Sequence, residues 1–186
     1  VDHRIRREPH YPCGFMDVIS IEKTGEHFRL LFDVKGRYQA HPIDANESNF
    51  KLLKVTQQAI GPNKVPYIVT HDARTIRFQH PDIKVNDTVK YNLKTGEIEA
   101  FYKFEQGATV MISGGKNIGR VGTISHVSKH DAQFDIVHIR DARNKTFATR
   151  SSNVFVIGQE KKAGISLPKG KGLAYNIIEE RDNRKK

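Results

Sequence analysis

From Phe15 onward, apolar and polar residues alternate in short runs, with no sustained helical spacing. "DVISI", "HFRLLFDV" and "YQAHPI" are separated by the turn formers "KTGE" and "KGR", which predicts an antiparallel meander over residues 17–43. Asp44 with Glu47 three residues on is a capping-box signature, so one or two helical turns are expected over 44–50. "KLLKVTQQAI", the turn "GPNK" and "VPYIVTH" read as a hairpin. "TIRF" and "TVKYNL" follow, the latter leading into a second "KTGE" turn at 94–97. Beyond Phe104, "ATVMIS", "VGTISHV", "FDIVHIR", "TFATR" and "NVFVIG" supply five more short strands, the signature of a small barrel. The expected fold is therefore mainly β. A central β-rich domain spans 22–103, a five-stranded barrel spans 104–158, and a basic tail over 159–186 ends in a short helix on "AYNIIEERDNRKK".

Composition narrows the partner. The 186 residues carry 31 Lys and Arg against 21 Asp and Glu, a formal charge of +10. That excess favours a polyanion, because each neutralised phosphate releases counterions. Cys13 is the single cysteine, which excludes an intramolecular disulfide and a thiolate metal cage and fits a reducing compartment. No apolar run approaches the ~20 residues needed to span a bilayer. The opening "VDHRIRREPHYP" matches neither a signal peptide nor a clear transit peptide.

"GGKNIGRVG", residues 114–122, invites a nucleotide reading. Gly114 and Gly119 have P-loop spacing, but Arg120 and Val121 follow where Lys and a hydroxyl residue are required. The dinucleotide fingerprint fails too, since the glycines run 115, 119, 122 and a β-rich stretch follows instead of a helix. Catalytic and metal readings fare no better. His126 and His130 lie in a strand-turn region, where four-residue spacing does not converge ligands. His71 and Asp72, like His130 and Asp131, are strand neighbours pointing to opposite faces. Cys13 and His10 have no third group to orient them. No catalytic residue, metal site or cofactor is expected.

Gly107, Val110, Ile112, Gly115, Gly119, Gly122 and Ile124 follow a pattern that resembles the KOW motif of ribosomal proteins and transcription elongation factors. "YPCGFMDVISI", "IVTHDARTIRF", "IKVNDTV", "TFATR", "SNVFVIG", "ISLPKGKG" and "EERD" occur in one order. That series is similar to the e-type small-subunit ribosomal protein S-four family of eukaryotes and archaea. The resemblance implies that residues 1–21 carry the last hairpin of an S-four RNA-binding domain, and that 104–158 form a Src-homology-like KOW barrel. It also implies a structural role on small-subunit ribosomal RNA beside neighbouring ribosomal proteins, in the cytoplasm, with no membrane and no small-molecule substrate. A KOW-type elongation factor docking on RNA polymerase and an RNA-processing enzyme are the alternatives.

The cations expected to meet RNA fall in groups. Arg4, Arg6 and Arg7 stand near His10 and Tyr11. Arg74 and Arg77 lie in "DARTIR", and Lys116 and Arg120 in the glycine loop. Arg140, Arg143, Lys145 and Arg150 surround the "DARNKTFATR" turn, and Lys161, Lys162, Lys169 and Lys171 mark the tail. Arginine suits phosphate by its fork, and lysine supplies point charge. Tyr11 or Tyr175 is expected to add stacking. The tail, with little apolar surface, is expected to be mobile until bound.

Overall fold

A computed structural model describes residues 1–131, 133–159 and 162–184. The meander is present as β1 (Val18–Ile21), β2 (Glu26–Phe32) and β3 (Tyr38–Ile43) in that order across one sheet. A second sheet has the order β6-β5-β4-β7-β8, from β4 (Phe50–Ile60), β5 (Pro66–Thr70), β6 (Thr75–Arg77), β7 (Thr88–Asn92) and β8 (Ile98–Tyr102). The third comprises β9 (Thr109–Ile112), β10 (Val121–Ser128), β11 (Ile136–Arg140), β12 (Thr146–Arg150) and β13 (Val154–Gly158), ordered β12-β11-β10-β9-β13. A single helix, α1 (Ile177–Arg184), closes the described chain. Both hairpins predicted around "GPNK" and the second "KTGE" form.

Strand β4 shows how pattern becomes topology. Its first half, residues 51–55, is buried, and residues 56–58 are exposed. A register shift between Val55 and Gln57 divides the strand, so that residues 50–54 pair with β7 and the rest with β5. A bulge bends and twists a strand, which lets one long strand serve two partners.

The third sheet must curl. Only residues 151–153 separate β12 from β13, and four chain steps reach ~14 Å. In a flat sheet the two edge strands would stand ~19 Å apart. Curling encloses Val110, Ile112, Ile124, Val137, Ile139, Val154 and Val156 as an inner core. The central sheet has its own core of Leu53, Val55, Ile68, Ile83 and Val89. A third cluster joins all three sheets, with Met16 from the segment before β1, Leu31 and Phe32 from the first sheet, Leu52 from the second, and Met111, Val121, Phe155 and Ile157 from the third. Phe15 stacks on Phe32 and meets Phe155 edge-on, with centroids 4.9 and 5.1 Å apart.

Three expectations are corrected. Residues 1–17 contain no strand, and β1 pairs with β2 instead of completing a hairpin within 1–21. Burial of Phe15, Met16 and Val18 draws this segment into the shared core. Asp44 and Glu47 do not form a capping box: the local element is a 3-10 turn, Glu47–Asn49, without a side-chain cap. Glu47 instead accepts the Ser166 N–H and lies 3.6 Å from the Arg29 guanidinium, so tertiary partners outcompete the local one.

The third correction concerns the tail. Residues 162–176 form a strap over the core. Ile165 is 6% exposed within the shared cluster, and Leu167 packs against that cluster. The strap is pinned by Gly164 N–H to the Ile157 carbonyl at 2.7 Å and by Val121 N–H to the Gly172 carbonyl at 3.2 Å. Two apolar residues suffice because the strap's backbone is also paired. Ile177 and Ile178 are not docked, at 88% and 66% exposed. Ile165→Ala is expected to cost about 2–5 kcal/mol in chemical denaturation, the range for a buried isoleucine. It should also make the 162–176 segment the first site of limited proteolysis, whereas the parent chain should resist there. A parent cut there as fast as the variant would mean that the strap does not hold.

Candidate nucleic-acid interface

The glycine loop answers to packing before it answers to a ligand. Gly119 has φ +78 and its α-carbon faces the backbone of Asp33, so any Cβ would enter the Asp33 carbonyl. A Cβ at Gly36 would meet Ile118 at 2.8 Å, so the two loops fit closely from both sides. The loop thus docks the KOW-type sheet onto the β2–β3 turn. Only Lys116 points outward from it, exposed to solvent.

Arg120 is the clearest departure from expectation. It turns inward, 3.3 Å from Asp141, bonded to Asn117, with its guanidinium 3.7 Å from the Phe147 ring centroid. Its side chain is only 16% exposed, so it is a strut of the sheet.

Arg74 is likewise committed within the chain. It pairs with Asp72 at 2.6 Å and Asp2 at 2.9 Å, and lies over the Tyr91 ring. Asp2, Asp72 and Asp17 surround the ammonium of Lys51 at 3.0, 3.3 and 2.5 Å respectively. Lys51 is 1% exposed. Burial alone would lower its pKa, but Asp2, Asp17 and Asp72 together carry it above the ordinary 10.5. Burial would raise Asp72, yet the Thr70 hydroxyl bond, Lys51 and Arg74 hold it below 3.8. A cleft of about 610 Å³ opens beside this cluster, between the N-terminal arm and the β5–β6 turn, with Lys51 and Tyr91 in its lining.

Two more buried cations serve the fold. Lys54 donates to the carbonyls of Ser151, Ser152 and Val154 at 3.0, 3.0 and 2.7 Å, tying β4 to the connector that closes the third sheet. Burial pushes its pKa down to about 8. Arg29 is fully buried and donates to the carbonyls of Glu47 and Phe50. His71 is structural as well: its Nδ1 accepts the Lys54 N–H, and its Nε2 lies 3.3 Å from the Phe15 carbonyl.

The remaining nominated cations are dispersed. Arg4, Arg6, Arg7 and His10 are exposed on the N-terminal arm, and the Arg6 guanidinium lies 4.2 Å from the Tyr11 centroid. Arg77 is exposed at the end of β6. Arg140 and Lys145 are exposed at the turn end of the β11–β12 hairpin, whereas Arg150 is opposite Ile136 at the far end, ~13 Å along the strand. Arg143 pairs with Glu179 at 2.9 Å and covers the Tyr175 ring. Lys162, Lys169 and Lys171 are exposed on the strap, and Lys161 lies outside the described residues. The nominated set is therefore several separate surfaces.

Residues outside that set share one of them. His126 and His138 are register partners on β10 and β11, both exposed, with rings stacked 6.1 Å apart. Phe134 is 63% exposed, with the Arg150 guanidinium 4.3 Å from its centroid. Strand alternation could have shown His138, since Val137 and Ile139 on either side of it face inward.

The curled five-stranded sheet with glycines at its docking loop fits the KOW pattern, and a KOW family model matches residues 106–140. Models described as ribosomal family S4e and 40S ribosomal protein S4 C-terminus match residues 24–98 and 141–186. Small ribosomal subunit protein eS4A of Schizosaccharomyces pombe is 56% identical over 185 residues, covering 100% of this chain and 71% of that protein. Small ribosomal subunit protein eS4 of Bombyx mori is 56% identical over 184 residues, covering 99% and 70%. The crystal structure of the 30S ribosomal protein S4e from Thermoplasma acidophilum superposes with a TM-score of 0.75 at 30% identity, covering 87% of this chain and 81% of that one. The chain belongs to the S4e family of ribosomal proteins, a structural and non-enzymatic family.

Proposed function

We propose that this chain is a constituent of the small ribosomal subunit in the cytoplasm, where it binds ribosomal RNA, touches neighbouring ribosomal proteins and supports subunit assembly. The observation that carries the RNA contact is the spread of exposed cations over the arm, the β11–β12 hairpin and the strap. The names of the relatives above support the subunit. Folded RNA is gripped through phosphates and shape, and separate cationic surfaces on a rigid β scaffold suit several RNA segments at once.

Binding to a small-subunit RNA fragment is expected to weaken linearly on a log-log plot against salt. If about five phosphates are engaged, the loss between 50 and 200 mM salt is about a hundredfold or more. Affinity indifferent to salt would rule out this mechanism. In a sucrose gradient with Mg²⁺, the native protein should sediment with the small subunit. Migration with RNA polymerase instead would favour an elongation-factor role.

A further inference from the structure

We infer that the outer face of the β10–β11–β12 sheet seats a short unpaired RNA segment, one base on the Phe134–Arg150 pair and the phosphates of that and the adjoining nucleotide along His138, His126 and Arg140. This deepens the RNA-binding reading above and rests on it. The face is made by strand alternation. On β11, Val137 and Ile139 are fully buried, so Ile136, His138 and Arg140 point outward. On β12, Thr146, Ala148 and Arg150 do the same and lie opposite them in register. His126 joins this row from β10 because the register shift between Ile124 and His126 turns it outward.

The chemistry of that face is selective. Its outward strand positions hold two arginines, two imidazoles, and no carboxylate. Among the acids flanking these strands, Asp135 is half-buried and accepts the His130 N–H, Asp131 is exposed, and Asp141 is buried and paired with Arg120. Lys129, also exposed, adds to the cationic side. Charge alone would suit any phosphate backbone. Phe134 and Ile136, 63% and 36% exposed, would not, because a duplex backbone offers them nothing to cover. A splayed-out base does, since bases stack on aromatic rings and on guanidinium planes alike. Ala148, opposite His138, leaves a low place on the sheet between the arginines. A protein partner would be better matched by a broad apolar patch than by two apolar residues ringed by cations and imidazoles.

The test uses the full chain with two probes: hexauridine, and a blunt RNA duplex of about a dozen base pairs. Phe134→Ala is expected to weaken hexauridine binding about tenfold, within the range for losing one base–aromatic stack. It should change duplex binding less than about twofold, and Phe134→Tyr should restore the parent value. Unchanged thermal stability, expected at so exposed a position, separates this effect from misfolding. Hexauridine binding unaffected by Phe134→Ala would overturn the inference and leave the face to a protein neighbour. Equal weakening of both probes would overturn it too. In either case the RNA-binding reading survives, whereas a parent chain that binds neither probe at low salt would defeat that reading itself.

Discussion

Replacing Gly119 by alanine is expected to destabilise the chain by about 3 kcal/mol or more. The estimate combines left-handed backbone strain with overpacking at a rigid contact. The obstacle is the main chain of Asp33, which has no rotamer to yield. Gly107 supplies the control. Its φ is +90, but a Cβ there meets nothing within 4 Å. Gly107→Ala should therefore cost only the conformational strain, about 1–2 kcal/mol. Urea denaturation of both variants measures the difference. If the two substitutions cost the same, the contact between the glycine loop and the β2–β3 turn does not contribute.

Lys51→Met is expected to cost about 3–5 kcal/mol at neutral pH, because it strips the shared cation from three carboxylates in a largely buried site. Linkage gives this cluster a pH signature. The folded Asp72 pKa lies below 3.8, so its contribution is present above pH 3.8 and is lost as pH falls through the folded value. The folded Lys51 pKa lies above 10.5, so its contribution is present below pH 10.5 and is lost as pH rises through the folded value. The contribution of this Lys51–Asp72 pairing should thus be flat between these limits. The variant, left with mutually repelling carboxylates, should instead gain on the parent as pH falls from 7 toward 4. A variant deficit that stays constant over that interval would show that the carboxylates do not depend on Lys51.

The strand pattern was legible because it is local: alternation and turn chemistry lie within a few residues of each other, and each of the five barrel strands appears where "ATVMIS" to "NVFVIG" stand. What governs the candidate interface is not local. Gly119 reads correctly as a special backbone position, yet its reason is Asp33, 86 residues away. Arg74 and Arg120 look no different in sequence from Arg77 and Arg140, and only the fold brings Asp2 to the first and Asp141 to the second. Ile165 and Leu167 show no period, so nothing in the tail's sequence announces a strap. Along the chain His126 invites pairing with His130, four residues on, while its real neighbour is His138 on the adjoining strand.

The shared cluster sets a timetable as well as a structure. It brings Phe15 and Met16 together with Ile165, across 150 intervening positions or nearly so. Contacts this distant in sequence must overcome a large loop-closure entropy before they return any stabilisation, which slows folding. Synthesis runs from the N-terminus, so Met16, Leu31 and Phe32 emerge while Phe155, Ile157 and Ile165 are still to be made. During that interval the nascent chain carries an apolar face with no cover, the condition under which partly made β proteins aggregate. Ile165 and Leu167 of the strap are the last members of this cluster to be made, so the face stays uncovered until they arrive.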